Sequence, residues 1–220
     1  LPPMVEFKAK ADAIIKERWG FDVEHIRASY CRGSANPTFE KIFYQTRKRG
    51  KYTGSLVGFP MSLAHWCQDL KNNAVKEANA VKGIRYIGIA IDEPNRFSNL
   101  SDKQISPLVE IGWTEADCRK WCEDNDLLSP IYTSSARGGC WFCPVQPLQQ
   151  LRILRKSYPD LWSLLMKWDN DSPVPFKSDG HTVHDFDRRF QLEDEGLIDP
   201  KATFRWSMLD DDLQQTIEKV

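Results

Sequence analysis

The chain has 220 residues, 30 Lys+Arg against 31 Asp+Glu, 41% hydrophobic and 28% charged residues, and a sequence pI near 6.5. This composition excludes a disordered chain, a collagen-like chain and a coiled-coil rod, and it suits one large domain or one domain with an appendage. No apolar run reaches the roughly 18 residues that cross a bilayer, no secretory leader opens the chain, and a net charge of -1 excludes nucleic-acid binding by net field alone. A cytoplasmic protein with no membrane partner is expected, with its six cysteines reduced. Leu1 in place of Met reads as a fragment or a processed product.

In chain order, Val5, Phe7, Ala11, Ile14, Ile15 and Trp19 recur at helical spacing, and Gly20 is a C-terminal stop. Phe21 to Ile26 alternates apolar and polar residues as a strand does. Phe39 to Lys48 reads as a short helix ending in the basic cluster Arg47, Lys48 and Arg49, and Gly50 to Pro60 as a loop. Leu63 to Ala80 is helical. Ile84 to Ile91 is the most apolar run and reads as a buried strand of a parallel sheet covered on both faces. Thr114 and Asp117 open a helix that runs to about Asp126. Leu148 to Trp168 is one long helix, or two broken near Tyr158-Pro159, and Asp185 to Glu193 is the last. Alternation of strands and helices predicts an α/β fold with a mostly parallel sheet, in which ligands bind beyond the C-terminal strand ends. That places Asp92, Glu93 and Arg96 where they would meet ribose hydroxyls, a metal or a phosphate; the competing reading is a solvated turn holding an ion pair.

The strongest chemical signal is Arg137-Gly138-Gly139-Cys140-Trp141-Phe142-Cys143-Pro144. A Cys-x-x-Cys after two glycines is the knuckle in which two thiolates converge on one metal, although a redox dithiol has the same pattern. Cys67 is the best third ligand, at a helix start where the dipole lowers a thiol pKa. Cys118 and Cys122 share a helix face and read as core, and Cys31 carries no assigned role. His25 falls in the alternating stretch, His65 abuts Cys67, and His181 and His184 read as surface residues. Leu148, Leu151, Leu154, Leu161, Trp162, Leu165 and Trp168 read as core, with Arg152, Arg155 and Lys156 as a solvated or substrate-facing stripe, the solvated version favoured.

Five segments in order, WCQDLK (66–71), YIGIAIDEPNR (86–96), SPLVEIGWTEADC (106–118), LLSPIY (127–132) and GCWFCP (139–144), resemble the phosphoadenosine-phosphosulfate reductase family, and more closely its phage- and bacteria-borne reductase-like members. The likeness runs to about Asp169. It implies the adenine-nucleotide α-hydrolase fold over residues 1–145, a Rossmann-like parallel sheet flanked by helices, followed by a helical C-terminal extension over residues 146–220. By position, Asp92, Glu93 and Arg96 match the Asp-Glu-x-x-Arg beside the nucleotide and substrate pocket, and Cys67 and Lys71 match a Cys-x-x-x-Lys. Cys67, Cys140 and Cys143 match the ligands of a [4Fe–4S] cluster, with zinc, completed by His65 or water, as the alternative. Arg137, like Arg96, would stabilise charge on a transferring phosphate or sulfate. The family's Ser-Gly-Gly-x-Asp-Ser phosphate loop and its Glu-Cys-Gly-Leu-His tail do not occur in this sequence, so reduction of phosphoadenosine phosphosulfate by the tail-cysteine route is not expected.

The resemblance therefore implies an enzyme of sulfur metabolism that binds an adenine nucleotide such as ATP and carries out adenylyl activation or sulfur transfer. Its partner is a sulfur donor or acceptor, and a nucleic acid enters only as substrate. The alternative is a non-catalytic, metal-stabilised module that binds a nucleotide or a protein.

Overall fold

The computed structural model describes residues 2–60, 66–80, 83–134, 139–201 and 203–209. Along the chain these form α1 (Pro2–Trp19), β1 (Tyr30–Cys31), β2 (Ser34–Ala35), α2 (Phe39–Phe43), α3 (Trp66–Ala78), β3 (Arg85–Tyr86) and α4 (Pro94–Phe97). Then follow β4 (Gln104–Ile105), α5 (Pro107–Glu110), α6 (Glu115–Asp124), α7 (Ile131–Ser134), α8 (Leu148–Ser157), α9 (Pro159–Asp171) and α10 (Val183–Asp194). The fold is mixed α/β with helix predominating and short strands only. None of the helices, over the described residues, is long and apolar enough to cross a membrane.

The chain divides into two compact units, 1–28 with 72–138, and 29–71 with 139–220; the division falls inside α3. In the first unit α1 ends where Gly20 donates to the Lys16 carbonyl at 3.0 Å. The Phe21–Ile26 stretch is not a strand: it pairs with no neighbour among the described residues, and Phe21, Val23 and Ile26 are exposed. Alternation creates a face but not a partner, and an unpaired segment keeps its backbone in water. Its side chains instead tie back to α1, through His25 Nε2 to Asp12 at 2.7 Å and Lys16 to Asp22 at 2.7 Å.

The IRYIGIAI run is paired over a shorter length than its composition predicts. Arg85 and Tyr86 pair in parallel with Gln104 and Ile105. Ile89 and Ala90 are buried beyond the pair, but Ile84 and Tyr86 are exposed, because β3 has a single partner strand among the described residues. The Ser106 hydroxyl, itself buried, accepts from Ile89 N at 3.3 Å and donates to Ile89 O at 2.6 Å, so the run past the ladder is held by a side chain. After it, α6 starts as its sequence requires. Thr114 and Asp117 form a reciprocal capping box, each satisfying an otherwise orphaned amide. Cys118 and Cys122 are half-buried on this helix rather than sealed in a core.

The second unit holds most of the apolar core. Ile42, Phe43, Phe59, Leu151, Leu165, Phe176 and Val183 are essentially sealed, and Trp162 and Trp168 are buried with them. Pro159 divides α8 from α9, since it cannot donate to the turn before it. Arg152 and Arg155 are not a solvated stripe. Arg152 makes a two-pronged pair with Glu193, both contacts at 2.7 Å, and Arg155 binds Asp187 at 2.8 Å and Asp194 at 2.6 Å. These bonds lace α8 to α10, and Lys156 alone of the three stays exposed.

Candidate functional site

Two of the three anticipated groups fall into different units, and each is described by itself. Arg137 and His65 lie outside the described residues.

The second unit carries the cysteines. Cys67 is the second residue of α3, and its helix neighbour Trp66 is buried, with the indole Nε1 donating to the Gly58 carbonyl at 3.2 Å. Trp66 stacks on Phe39 with ring centroids 4.9 Å apart, and Phe39 meets Phe142 at 4.1 Å. This aromatic chain ties the residue before Cys67 to the residue before Cys143. The knuckle itself is a tight turn in which Cys143 N donates to Cys140 O at 3.0 Å. Gln146 braces it, its side-chain amide donating to Cys140 O and its backbone N to Cys143 O at 3.1 Å. Lys177 then donates to Gln146 O at 2.7 Å, and its ammonium lies near Cys143. Burial pulls the Lys177 pKa down, with Cys143 acting in the opposite sense.

The three thiols are electrostatically coupled. Burial pushes the Cys67 thiol up, and charge on Cys143 and Cys140 pushes it further. The backbone at the helix start and Lys71, one turn along α3, pull the other way and do not win. The expectation of a lowered Cys67 pKa is thereby corrected: partial desolvation and two neighbouring thiols outweigh the helix dipole. Cys31 is 1% exposed, sits in β1 beside the Arg32–Asp69 pair at 2.7 Å, and is raised by burial first and then by Asp69.

Whether a soft metal suits this place is tested by one more atom. The indole Nε1 of Trp168 is buried and has no hydrogen-bond partner among the described residues. Its ring stacks on Trp141 at 5.4 Å and meets Phe142 edge-on at 5.7 Å, the two residues between Cys140 and Cys143. A buried donor without a partner among the described residues, on a ring packed against Trp141 and Phe142, is what a sulfur-rich acceptor at the knuckle would satisfy. Among the described residues no three His, Cys, Asp or Glu side chains form a group that could hold a metal ion.

The first unit carries Asp92, Glu93 and Arg96 directly after the β3 run. Asp92 accepts from the Glu115 amide at 3.0 Å and so serves the start of α6. Glu93 pairs with Arg96 and accepts from Ala90 N at 3.2 Å. The Arg96 guanidinium, chiefly by its hydrogen bond, holds the Glu93 carboxyl below its usual range. Both carboxylates thus have structural employment, and the ion pair foreseen in the solvated-turn reading is present. Beside them a shallow depression of about 230 Å³ is lined by Phe97, Leu100, Ile105 and Val109, with Gln104 and Glu110 at its polar side.

Comparison with protein-family models, with curated proteins and with solved structures returns no match.

The chemistry above therefore has to carry the assignment alone. Sequence reasoning names the three cysteines as candidates but does not reach Gln146, Lys177 or the buried Trp168 donor. Trp168 has the spacing of an ordinary core residue, and nothing local marks Lys177, which lies in a polar stretch and reaches the knuckle only through tertiary packing.

Proposed function

We propose that this chain is a phosphoadenosine-phosphosulfate reductase-like protein that binds an adenine nucleotide and carries out adenylyl activation or sulfur transfer, with a metal centre held by Cys67, Cys140 and Cys143. In this reading the β3–β4 pair belongs to a Rossmann-like parallel sheet, and Arg96, with Arg137, binds the charged groups of nucleotide and substrate. What supports the proposal is that charge on Cys140 and Cys143 acts on the Cys67 thiol, far from them in sequence, and that Trp168, stacked on Trp141 of the knuckle, has a buried N–H with no hydrogen-bond partner among the described residues. Soft thiolate donors suit a [4Fe–4S] cluster or zinc. When bound, a [4Fe–4S] cluster would supply an electron- or sulfur-carrying group, whereas zinc, which has no redox chemistry, would hold the thiols together or act as a Lewis acid. The protein's part is to hold the thiols through the Trp66–Phe39–Phe142 stack and to brace the knuckle through Gln146 and Lys177. Asp92 and Glu93 are already engaged by Glu115 N and Arg96. That engagement favours the second reading, a metal-stabilised module that binds nucleotide without turning it over.

Anaerobically purified protein is expected to contain iron with acid-labile sulfide and a broad visible absorption, or else one zinc without colour. Cys140→Ser together with Cys143→Ser is expected to remove the metal. A wild-type protein with neither metal, or a double variant that keeps its full complement, sinks the ligand assignment.

The nucleotide site has its own test. Calorimetric titration of the full chain with ATP should give an affinity that falls about tenfold or more in Arg96→Ala, the loss typical of one charge-assisted contact. Equal affinity in the two proteins removes Arg96 from the site. Turnover of bound ATP separates the enzyme from the module.

A further inference from the structure

We propose that the hairpin tip formed by Lys48, Arg49 and Lys51 in the second unit binds the phosphate backbone of a nucleic acid. The sequence here is Arg47-Lys48-Arg49-Gly50-Lys51-Tyr52, and the structure separates its cations into two kinds. Arg47 turns inward. Its Nε donates to Leu56 O and Val57 O, both at 3.2 Å, and its Nη2 also bonds Val57 O. Its backbone closes the hairpin, with Arg47 N to Ser55 O at 2.8 Å and Gly54 N to Arg47 O at 2.9 Å, beside the Thr46–Leu56 bridge. The turn is braced again by Thr53 N and Oγ1 on Gly50 O, at 3.1 and 2.6 Å, and by Ser55 N and Oγ on Tyr52 O, at 3.1 and 2.6 Å. Gly50, at φ 88°, supplies the left-handed residue the turn needs.

On this rigid mount Lys48, Arg49 and Lys51 are exposed, and among the described residues none of them forms an ion pair. Some of the chain's other cations are matched to carboxylates, as in Arg119–Glu123, Lys120–Asp124, Arg152–Glu193 and Arg155–Asp187. Lys48, Arg49 and Lys51 lie in a stretch from Lys41 to Gln68 that contains no Asp or Glu, so no acidic neighbour along the chain offsets them. The composition argument against a basic field does not reach a patch this small.

The occupant follows from what the tip lacks. The amides of Thr53, Gly54 and Ser55 are spent inside the turn, so these three are not left to cradle a phosphate. A lipid surface takes cations together with an exposed apolar anchor, and residues 48–54 present no exposed large hydrophobic side chain. Separate point charges on an open turn fit a run of phosphodiesters, the sequence-independent contact that positions nucleic-acid binders. Tyr52 sits beneath two of the cations, with Lys51 Nζ 5.5 Å and the Arg47 guanidinium 5.4 Å from its ring centre, which holds Lys51 at the tip.

The test uses the full chain and a fluorescent single-stranded RNA of about 20 nucleotides, read by anisotropy between about 50 and 200 mM salt. The wild type is expected to bind, with affinity falling as salt rises. Lys48→Ala/Arg49→Ala/Lys51→Ala, with its thermal midpoint unchanged, is expected to lose about tenfold or more in affinity at low salt. Its log–log salt slope should fall by about 2, at roughly 0.7 per phosphate contact. Arg49→Ala alone should lower the slope by about 0.7, which keeps the test open if the triple variant folds poorly. A control that removes the same charge elsewhere, Lys8→Ala/Lys10→Ala/Lys103→Ala, should bind as the wild type does. Unchanged affinity and slope in the hairpin variants, an equal loss in the control, or binding to anionic phospholipid vesicles but not to RNA each overturns the proposal. None of these readouts involves metal or ATP, so this outcome and that of the reductase-like reading are independent.

Discussion

Glu193→Ala is expected to lower the unfolding free energy by about 3–5 kcal/mol, the cost of removing one partner from a buried ion cluster. The Glu193 side chain is 5% exposed and accepts from Arg152 through both oxygens and from Arg189 Nε at 2.9 Å. Truncation leaves two guanidiniums facing each other without their anion. Arg189 has little room to escape, since it is 8% exposed and lies over the Phe204 ring at 3.8 Å. In a chain of this size the midpoint of thermal unfolding should drop by about 10 °C. A fall of only one or two degrees would mean that the cluster contributes little. The same carboxylate gives a pH signature. Its two arginine partners hold the Glu193 pKa below the usual glutamate value against the opposing effect of burial, so the folded state binds fewer protons than the unfolded chain. The resulting stability is present above the ordinary carboxylate pKa and is lost as pH falls through the lower, folded value. The gap in midpoint between wild type and Glu193→Ala should therefore close on acidification below about pH 4.5, and a gap that widens there contradicts the assignment. Taking the difference between the two proteins cancels other titrating groups, including Asp169, whose pKa burial raises.

Gly58→Ala is expected to cost about 3 kcal/mol, combining backbone strain with overpacking. Gly58 has φ +67°, and a Cβ there would lie 2.5 Å from Ser172 Oγ and 2.8 Å from Pro173 Cδ. Ser172 cannot simply rotate away, because its hydroxyl donates to Val174 O at 2.7 Å and accepts from Phe59 N at 3.1 Å. The two contributions separate by comparison with Gly50→Ala, at φ +88° with nothing within 4 Å of the added carbon. That change should cost only the conformational part, about 1 kcal/mol. Equal losses at the two positions would show that the contacts around Gly58 relax freely. Because the Gly58 carbonyl holds the Trp66 indole, the substitution should also shift tryptophan fluorescence, which Gly50→Ala should leave alone.

What could be read from the residues is what depends on near neighbours. The Thr114/Asp117 box, the end of α1 at Gly20, the break at Pro159 and the apolar stripe of α8 and α9 are all legible. Each is written within one or two turns of chain, where capping and periodicity act. Phe21–Ile26 failed for the complementary reason: alternation specifies a strand face, but only a partner strand makes a strand. Ile84–Ile91 shows both sides, apolar throughout yet paired only at Arg85 and Tyr86. The positions of Arg152 and Arg155 gave charge on a helix but not its destination, because Glu193 and Asp187 arrive from α10, 41 and 32 residues away.

The same division holds at the candidate site. By itself the amino-acid order determined that Cys140 and Cys143 share one turn, that Cys67 begins a helix, and that a carboxylate pair and an arginine follow the apolar run. Tertiary packing alone decided that Trp66, the neighbour of Cys67, and Phe142, the neighbour of Cys143, meet the same Phe39 ring. It also decided that burial outweighs the helix dipole at that thiol, and that Trp168 is left holding an unspent donor. Desolvation and coupling between distant groups depend on what surrounds a side chain in space, and no window of neighbouring residues contains that information.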